Sequence, residues 1–237
     1  MPASRPFNVE VTRAMKALFL ALLVLVGFAV LWTQHAVILT AIGGLVVEET
    51  PLATADIVVI LGGPPRLAVE AAALVKNGYA PRVVVFASPP DVDDNLLAGL
   101  GVKVPKPNEI AVEILKASGV AGSKIALLPR APDGTNASAR ELGRYARSHG
   151  VTRMIVVTYR SHTRRTAYLL RRELTGPGAI IIRAAPRDPF HPESWWRERR
   201  QVLELALEGL RWLGSLVLND LWSRDDQPSS YKIGAEV

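Results

Sequence analysis

The longest stretch without a charged side chain, residues 17–47, limits the possible folds more than any other feature of the chain. A helix needs about 20 apolar residues to cross the hydrocarbon core of a bilayer, and this stretch exceeds that length. Three basic residues, Arg5, Arg13 and Lys16, and one acid, Glu10, precede this stretch. Two acids, Glu48 and Glu49, follow it. This charge distribution predicts that the N-terminus lies in the cytoplasm and the rest of the chain outside it.

A cleaved signal peptide is the alternative interpretation of this segment. The candidate cleavage site, Ala53-Thr54-Ala55, lies far beyond the apolar centre and adjoins the first predicted strand. We therefore predict an uncleaved signal anchor. Residues 1–16 form a cytoplasmic N-terminus in this interpretation, and residues 17–47 form a single membrane span with a stalk.

Short apolar, β-branched runs alternate with helical patterns in the rest of the chain. The predicted strands are residues 56–61, 82–87, 124–128, 154–158 and 179–183, and the predicted helices between them are residues 66–77, 108–118, 135–149 and 163–174. Such alternation is typical of βαβ units. The fold class predicted for residues 55–218 is therefore α/β, a Rossmann-like parallel sheet with helices on both faces, preceded by one transmembrane helix.

Three further segments complete the predicted organisation. Residues 195–218 are predicted to be mostly helical, and Glu204, Glu208 and Arg211 among their leucines favour a helix that docks on the domain over a second span. Residues 88–107, rich in Pro and Asp, are predicted to be a long loop that acts as a lid. Residues 219–237 are predicted to be a flexible tail.

The composition narrows the possible partners and cofactors. The chain has no cysteine, which excludes disulfides, thiolate metal sites and cysteine nucleophiles. Its net charge of +6 suits anionic partners such as lipid headgroups and phosphates. Aromatic residues are not interleaved with the arginines as single-strand binders require, so no nucleic-acid partner is expected. No residues at metal-ligand spacing accompany the histidines, and no cofactor is predicted.

Residues 151–174 combine a strand and a helix with a concentration of positive charge. Six arginines and no acid lie between residues 151 and 172. Ser161 or Thr163 is predicted to cap the helix start. Cations at a helix N-terminus oppose the helix dipole unless an anion lies between them, which indicates an anion-binding site. A solvated basic surface is the alternative.

Ligands of open α/β sheets bind beyond the C-terminal ends of the strands. Three segments of this chain are predicted to reach that edge, at residues 62–66, 133–136 and 160–165. His162 is the candidate acid/base catalyst, since imidazole exchanges protons near neutral pH; a simple phosphate contact is its other possible role. The predicted ligand-binding residues are Gly62, Gly63, Arg66, Thr135, Asn136, Thr158, Arg160, Arg164 and Arg165. Asp133 and Thr135 have the alternative role of capping the helix that follows them.

These residues together resemble the YdcF/SanA/ElyC family over about residues 55–213. The most specific part is Val157-Thr158 followed by His162 and Arg165, and residues 56–63, Arg66, Gly134-Thr135, Trp195-Trp196 and Glu204 also contribute. The resemblance implies a Rossmann-like domain anchored in the bacterial inner membrane and facing the periplasm. It also implies a role in envelope or peptidoglycan maintenance.

The chain departs from the family pattern after Thr135. Family members usually continue with an acid and an asparagine (T-x-E-N), whereas Asn136, Ala137 and Ser138 follow here. The acid that family members commonly carry a few residues earlier is also replaced, near residues 128–130. If those acids act in catalysis in relatives, this chain binds its ligand without a reaction.

Three functional hypotheses follow from the sequence. In the leading one, the protein binds a phosphorylated or otherwise anionic envelope metabolite, such as a lipid-linked phosphate, at the inner membrane. In the second, it is a non-catalytic scaffold or regulator whose basic edge binds an envelope-assembly protein or anionic lipid. The third, a nucleotide or S-adenosylmethionine binder, is less favoured because no acid ends the second strand at Ala87.

Overall fold

The sheet of the protein has five parallel strands in the order β3-β2-β1-β4-β5. The structure is a computed structural model, which describes residues 7–63, 65–89, 93–128, 134–174 and 179–217. The strands are β1 (Ile57–Ile60), β2 (Val83–Phe86), β3 (Ile125–Leu128), β4 (Met154–Thr158) and β5 (Ile180–Ala184). The predicted α/β fold class with a parallel sheet is confirmed.

Seven α-helices are described. They are α1 (Phe7–Gly44), α2 (Arg66–Lys76), α3 (Asp94–Gly99), α4 (Pro107–Ala117), α5 (Gly134–His149), α6 (Thr163–Glu173) and α7 (Arg199–Val217). Three single turns of 3-10 helix occur at Gly122–Lys124, Arg160–His162 and Trp195–Arg197. All strands and all helices except α3 occur where the sequence pattern predicts them, with ends that differ by at most four residues, except that α1 begins ten residues before the predicted span.

The strands are buried on both faces, and their alternate side chains enter two separate cores. Val58 and Ile60 of β1 belong to the core that contains α2 and α4. Ile57 and Val59 belong to the core that contains α5 and α6. Because successive side chains of a strand point to opposite faces, a continuous run of Ile and Val fills both cores at once.

Helix α1 is long and apolar enough, from Arg13 to Gly44, to cross a membrane. Contact with the domain is concentrated at its C-terminal end. The indole Nε1 of Trp195 donates a hydrogen bond of 2.7 Å to the carbonyl oxygen of Leu39. A Cβ atom on Gly43 would lie 2.6 Å from Trp195 Cδ1, so only glycine allows this close approach.

The segment after α1 ties it to the edge of the sheet where the strands end. The backbone N–H of Arg164 donates to the carbonyl of Val46 at 3.2 Å, in the first turn of α6. The N–H of Glu48 donates to Thr163 Oγ1 at 2.8 Å. The N–H of Thr50 then donates to Ile182 of β5 at 3.0 Å. The end of α1 therefore lies beside the C-terminal ends of β4 and β5.

The segment predicted to be a loop, residues 88–107, contains the short helix α3, which the sequence analysis missed. Lys106 Nζ lies 2.7 Å from Asp94 Oδ2. Ser88 and Asn108 exchange two hydrogen bonds, from each backbone N–H to the other side chain, at 3.2 and 3.1 Å. These contacts close the segment on itself. Residues 90–92, and the tail predicted at residues 219–237, lie outside the described residues.

Candidate functional site

The sheet has a topological switch point between β1 and β4. From β1 the chain proceeds outward to β2 and β3, and then returns to the other side of β1 with β4 and β5. In parallel α/β sheets a crevice opens at such a point, beyond the C-terminal ends of the two strands. Gly62 and Gly63 follow β1 there, and Tyr159 to His162 follow β4.

The two strand ends are joined by side chains of β4 and the turn after it. Thr158 Oγ1 donates to the carbonyl of Leu61 at 2.9 Å and is buried. The Tyr159 hydroxyl donates to the carbonyl of Gly63 at 2.8 Å. Burial raises the pKa of Tyr159, against the opposing charge of Arg66, so its hydroxyl stays protonated and continues to donate. Thr158 thus holds the two strands together, and its predicted contact with a ligand stays untested.

Gly62 has a backbone conformation that requires glycine. Its φ angle is +132°, and a Cβ atom there would lie 3.0 Å from Leu67 Cδ1 and 3.3 Å from the ring of Tyr159. Substitution would therefore push the first turn of α2 and Tyr159 away from the strand end. The absence of a side chain at Gly62 thus allows Leu67 and Tyr159 to approach the end of β1 closely.

His162 is held by a carboxylate from α7. Its Nδ1 lies 2.7 Å from Glu208 Oε2, and the Glu208 side chain has 0% of its surface exposed. The other oxygen of Glu208 accepts a hydrogen bond of 2.5 Å from Arg165 Nε, and Arg165 Nη2 reaches Oε2 at 3.2 Å. The guanidinium and the imidazole thus share one buried carboxylate.

The charge of Glu208 is maintained despite its burial. Burial by itself raises the pKa of a carboxyl group, but the hydrogen bonds and charges of His162 and Arg165 outweigh it. The pKa of Glu208 is consequently held below its ordinary value. An ionised carboxylate at Nδ1 fixes the orientation of the imidazole and leaves Nε2 without a hydrogen bond within the described residues.

The arginines of the acid-free stretch receive their partners from distant parts of the chain. Arg165 is buried against Glu208. Arg160 has its Nε 3.5 Å from Glu49 Oε1, and its backbone N–H donates to Asp188 Oδ2 at 3.0 Å. Arg164 Nη2 donates to the carbonyl of Val47 at 3.3 Å. The interpretation of these arginines as uncompensated cations is therefore wrong for Arg160 and Arg165, because tertiary contacts bring the acids to them.

Arg66 differs from these arginines. It begins α2 beside the crevice and is exposed, with no hydrogen bond or ion pair within the described residues. Its charge acts on the hydroxyl of Tyr159. Among the predicted anion-binding arginines, Arg66 is thus the one whose guanidinium the described part of the chain leaves unpaired.

Thr135 and Asn136 are not brought to His162. They begin α5 after β3, which β2 and β1 separate from β4, so they lie roughly 14 Å away along the sheet edge at the usual strand spacing. The Oδ1 atom of Asn136 is buried without a hydrogen-bond partner in the described structure. Asp133, the predicted alternative cap, lies outside the described residues. The predicted roles of Thr135 and Asn136 in ligand binding stay predictions.

The helix cap predicted for α6 is wrong. Neither Ser161 nor Thr163 caps the helix, and the residue at the N-cap position is His162. Thr163 Oγ1 instead accepts the N–H of Glu48 and donates to the carbonyl of Arg160 at 2.7 Å. Ser161 is fully buried, and its hydroxyl donates to the carboxylate of Glu204. Both hydroxyls therefore attach other segments to the turn that carries His162.

Sequence reasoning missed the acids that complete the site, Asp188 and Glu208, and the role of Tyr159. A signal for Glu208 was present: Glu204 and Glu208 are four residues apart in a leucine-rich helix, which places both carboxylates on one face. Asp188 gives no comparable signal. It follows β5 in an irregular turn, and only the fold brings it to Arg160.

A surface depression outside this site lies between α3 and the start of α4. Leu97, Val102 and Glu109 are among its lining residues, and none of the predicted site residues lines it. It therefore does not contribute to the crevice between β1 and β4.

Comparison with known proteins adds little to this geometry. No family model and no curated protein sequence matches the chain. Among solved structures, guanylylpyridinol- and ATP-bound HcgE from Methanothermobacter marburgensis is similar over 71% of this chain and 100% of its own, with 16% identity and a TM-score of 0.31. A likeness at this level carries no functional argument. The resemblance to the YdcF/SanA/ElyC family stays a prediction from the sequence motifs.

Proposed function

We propose that this protein binds an anionic, phosphate-bearing envelope metabolite in the crevice between β1 and β4, with His162 as the acid/base group. The observation that carries the proposal is the buried contact of 2.7 Å between Glu208 and His162 Nδ1, at the topological switch point. A carboxylate that orients an imidazole is the usual arrangement for a histidine that exchanges a proton with a ligand.

The anion would be held by groups on the β1 side of the crevice. Arg66 supplies an unpaired guanidinium, and the backbone near Gly62 and Gly63 allows a close approach to a phosphate. His162 follows β4 on the other side of the switch point, and in this proposal its Nε2 transfers a proton to or from a phosphate oxygen. Arg165 acts indirectly, because its contact with Glu208 helps to fix the carboxylate that orients His162.

A lipid-linked phosphate is the ligand class that best fits the position of the crevice. The end of α1 lies at the same sheet edge as His162, since Val46 and Glu48 bond to the first turn of α6. If α1 is the membrane anchor, this edge is the part of the domain attached most directly to the bilayer. The charge distribution around α1 and the resemblance to the YdcF/SanA/ElyC family support an inner-membrane protein with a periplasmic domain and a role in envelope maintenance.

Binding of a prenyl pyrophosphate to the purified full-length protein in detergent micelles tests the proposal. We expect Arg66→Ala to weaken binding by about 1.5–3 kcal/mol, roughly 10- to 150-fold, which is the scale of a charge-assisted hydrogen bond. Arg82→Ala is the matched control, since Arg82 is an exposed arginine at the opposite edge of the sheet. Equal affinity of the two variants, or no binding by the wild type, would contradict the proposal.

Phosphate release from the same probe separates catalysis from binding. If His162 transfers a proton, His162→Gln is expected to bind the probe but release phosphate at least 100-fold more slowly than the wild type, a loss typical of general acid/base catalysis. If the wild type binds the probe and releases no phosphate, the site has a binding role alone.

A further inference from the structure

Helix α7 has an inverted distribution of side chains. Its fully buried side chains are polar, with Gln201, Glu208 and Ser215 at 6% exposure or less, and Leu205 and Trp212 lie half-buried beside them. Its opposite side carries large apolar residues that the described structure leaves between one third and two thirds exposed. We call this side the α7 leucine face; it consists of Val202, Leu203, Leu207, Leu210, Leu213 and Leu216. A soluble helix that packs on its domain normally has the reverse arrangement.

The α7 leucine face is too extensive to be ordinary exposed surface. Isolated exposed leucines are common, but contiguous apolar patches of this kind mark sites of interaction with a protein or a membrane. The charged side chains within this part of the helix, Glu204, Glu208 and Arg211, lie on the side that contacts Ser161, His162 and Arg165 or beside it. The face therefore lacks the charges that would keep it in water.

The start of α7 is continuous with the end of the apolar helix α1. Trp195, four residues before α7, bonds to Leu39 and packs on Gly43 of α1. Trp196 lies beside it, with rings 6.1 Å apart. Tryptophan is typical of the membrane interface, between the headgroups and the acyl chains. If α1 spans the membrane, Trp195 and Trp196 therefore place the start of α7 at the depth of that interface.

The residues around the start of α7 carry positive charge, which attracts anionic lipid headgroups. Arg197, Arg199 and Arg200 are all exposed, against one exposed acid among them, Glu198. At 100° per residue, Arg199 continues the α7 leucine face by one turn toward its N-terminus, and Arg200 lies at the edge of that face, in line with Leu207. A helix that combines basic residues, tryptophan and a row of leucines is typical of segments that lie in the plane of the membrane interface.

We propose that the α7 leucine face rests on the surface of an anionic phospholipid bilayer, with its leucines among the upper acyl chains and Arg199 and Arg200 at the headgroups. This inference rests on the membrane anchoring by α1 that the proposed function also assumes. The domain is then attached at two places, through α1 and through α7. The inner side of α7 holds His162 while its outer side contacts lipid.

Lipid quenching of site-specific fluorophores tests this contact, and the absence of native cysteine makes single labelling straightforward. The full-length protein is labelled with a bimane at Leu207→Cys or Leu210→Cys and reconstituted in vesicles of phosphatidylglycerol and phosphatidylethanolamine. We expect doxyl-labelled lipid to reduce the fluorescence of both variants at least about twofold, since the face would lie among acyl chains. Val69→Cys is the matched control, because Val69 is equally exposed and apolar but lies on α2; it should remain unquenched.

A bimane at Leu25→Cys, in the middle of α1, reports whether α1 itself lies in the membrane. It therefore distinguishes loss of the contact between α7 and lipid from loss of the α1 anchor. Quenching at Leu25 without quenching at Leu207 and Leu210 overturns the contact of α7 with lipid and leaves the anchor intact. No quenching at any position overturns both. Equal quenching at Val69 and Leu207 also overturns the proposal, because it shows lipid contact that is not specific to α7.

A second copy of the chain is the main competing occupant of the face. If α7 pairs with α7 of another copy, Leu207→Cys should form an intermolecular disulfide under mild oxidation, and the bimane at Leu210 should be insensitive to doxyl lipid. That combination overturns the proposal. Protection from both quencher and oxidation, as expected if residues 218–237 cover the face, overturns it as well.

Discussion

Helices α2 and α7 both pack on the α/β domain beside the candidate site, but their inner sides have opposite chemistry. Helix α2 places Leu67, Ala71 and Leu74 in the core, and these side chains are at most 3% exposed. Helix α7 places Gln201 and Glu208 inward and leaves all of its leucines except the half-buried Leu205 outside. Apolar burial therefore holds α2, whereas the fully buried contacts of α7 are hydrogen bonds and ion pairs.

The two helices therefore have different roles: α2 supports the fold, and α7 supports the candidate site. Helix α2 covers the sheet next to β1 and would be needed for any parallel sheet of this kind. The contacts of α7 concentrate on the turn and helix that carry His162, through Glu204, Glu208 and the packing of Trp212 on Tyr168 with rings 5.1 Å apart. We conclude that α7 serves mainly to position the site, and three experiments test this comparison.

The largest expected effect is that of Glu208→Ala. Removal of the carboxylate leaves Arg165, at 8% exposure, as a buried cation without its partner. We expect the free energy of unfolding to fall by about 3–5 kcal/mol, as for other broken buried ion pairs. Urea titration of the full-length protein in detergent micelles measures it.

A double variant is the control for this prediction. Glu208→Leu combined with Arg165→Met removes both charges and keeps similar volume, which often restores stability. We expect the double variant to be within about 1 kcal/mol of the wild type. If Glu208→Ala alone is that stable, the ion pair does not hold α7.

Truncation of a leucine to alanine is expected to lower the free energy of unfolding by less than Glu208→Ala does. The loss should be much larger in α2 than in α7. Leu67→Ala creates a cavity in the core next to Gly62 and should cost about 2–4 kcal/mol. Leu207→Ala, at a position 50% exposed, should change stability in micelles by less than about 0.5 kcal/mol. Equal costs in the same urea titration would show that α7 is held by its leucines after all.

The smallest expected effect is a dependence of stability on pH, because burial of Glu208 offsets much of the influence of His162 and Arg165. The pKa of Glu208 in the folded protein is below its ordinary value of 4.5, so its charge stabilises the fold above that pH. This contribution is lost as the pH falls through the lower folded-state pKa. Unfolding measured from neutral pH to about pH 3 should show a flatter profile for Glu208→Gln than for the wild type; identical slopes would contradict the assignment.

The strands and the helices α2, α4, α5 and α6 were predictable because their signals are local. The run of Ile and Val in β1 has the composition of a strand buried on both faces, and the glycines at positions 78 and 119, both with positive φ, mark helix ends. The switch point between β1 and β4 follows from the observed strand order, and a ligand crevice there stays a prediction from the rule for strand ends. Helix α3 was missed because a six-residue helix in a Pro- and Asp-rich segment lacks a detectable period.

The amino-acid sequence by itself determined the apolar helix, the parallel α/β class and the position of His162 at a strand end. These features depend on hydrophobic periodicity and on residues close together in the chain. Only the tertiary structure decided that Glu49 pairs with Arg160 and that Glu208 pairs with Arg165, because each acid is distant from its arginine in sequence. A buried ion pair depends on the separation of its charges in space and on the loss of their hydration, and neither quantity follows from a local pattern.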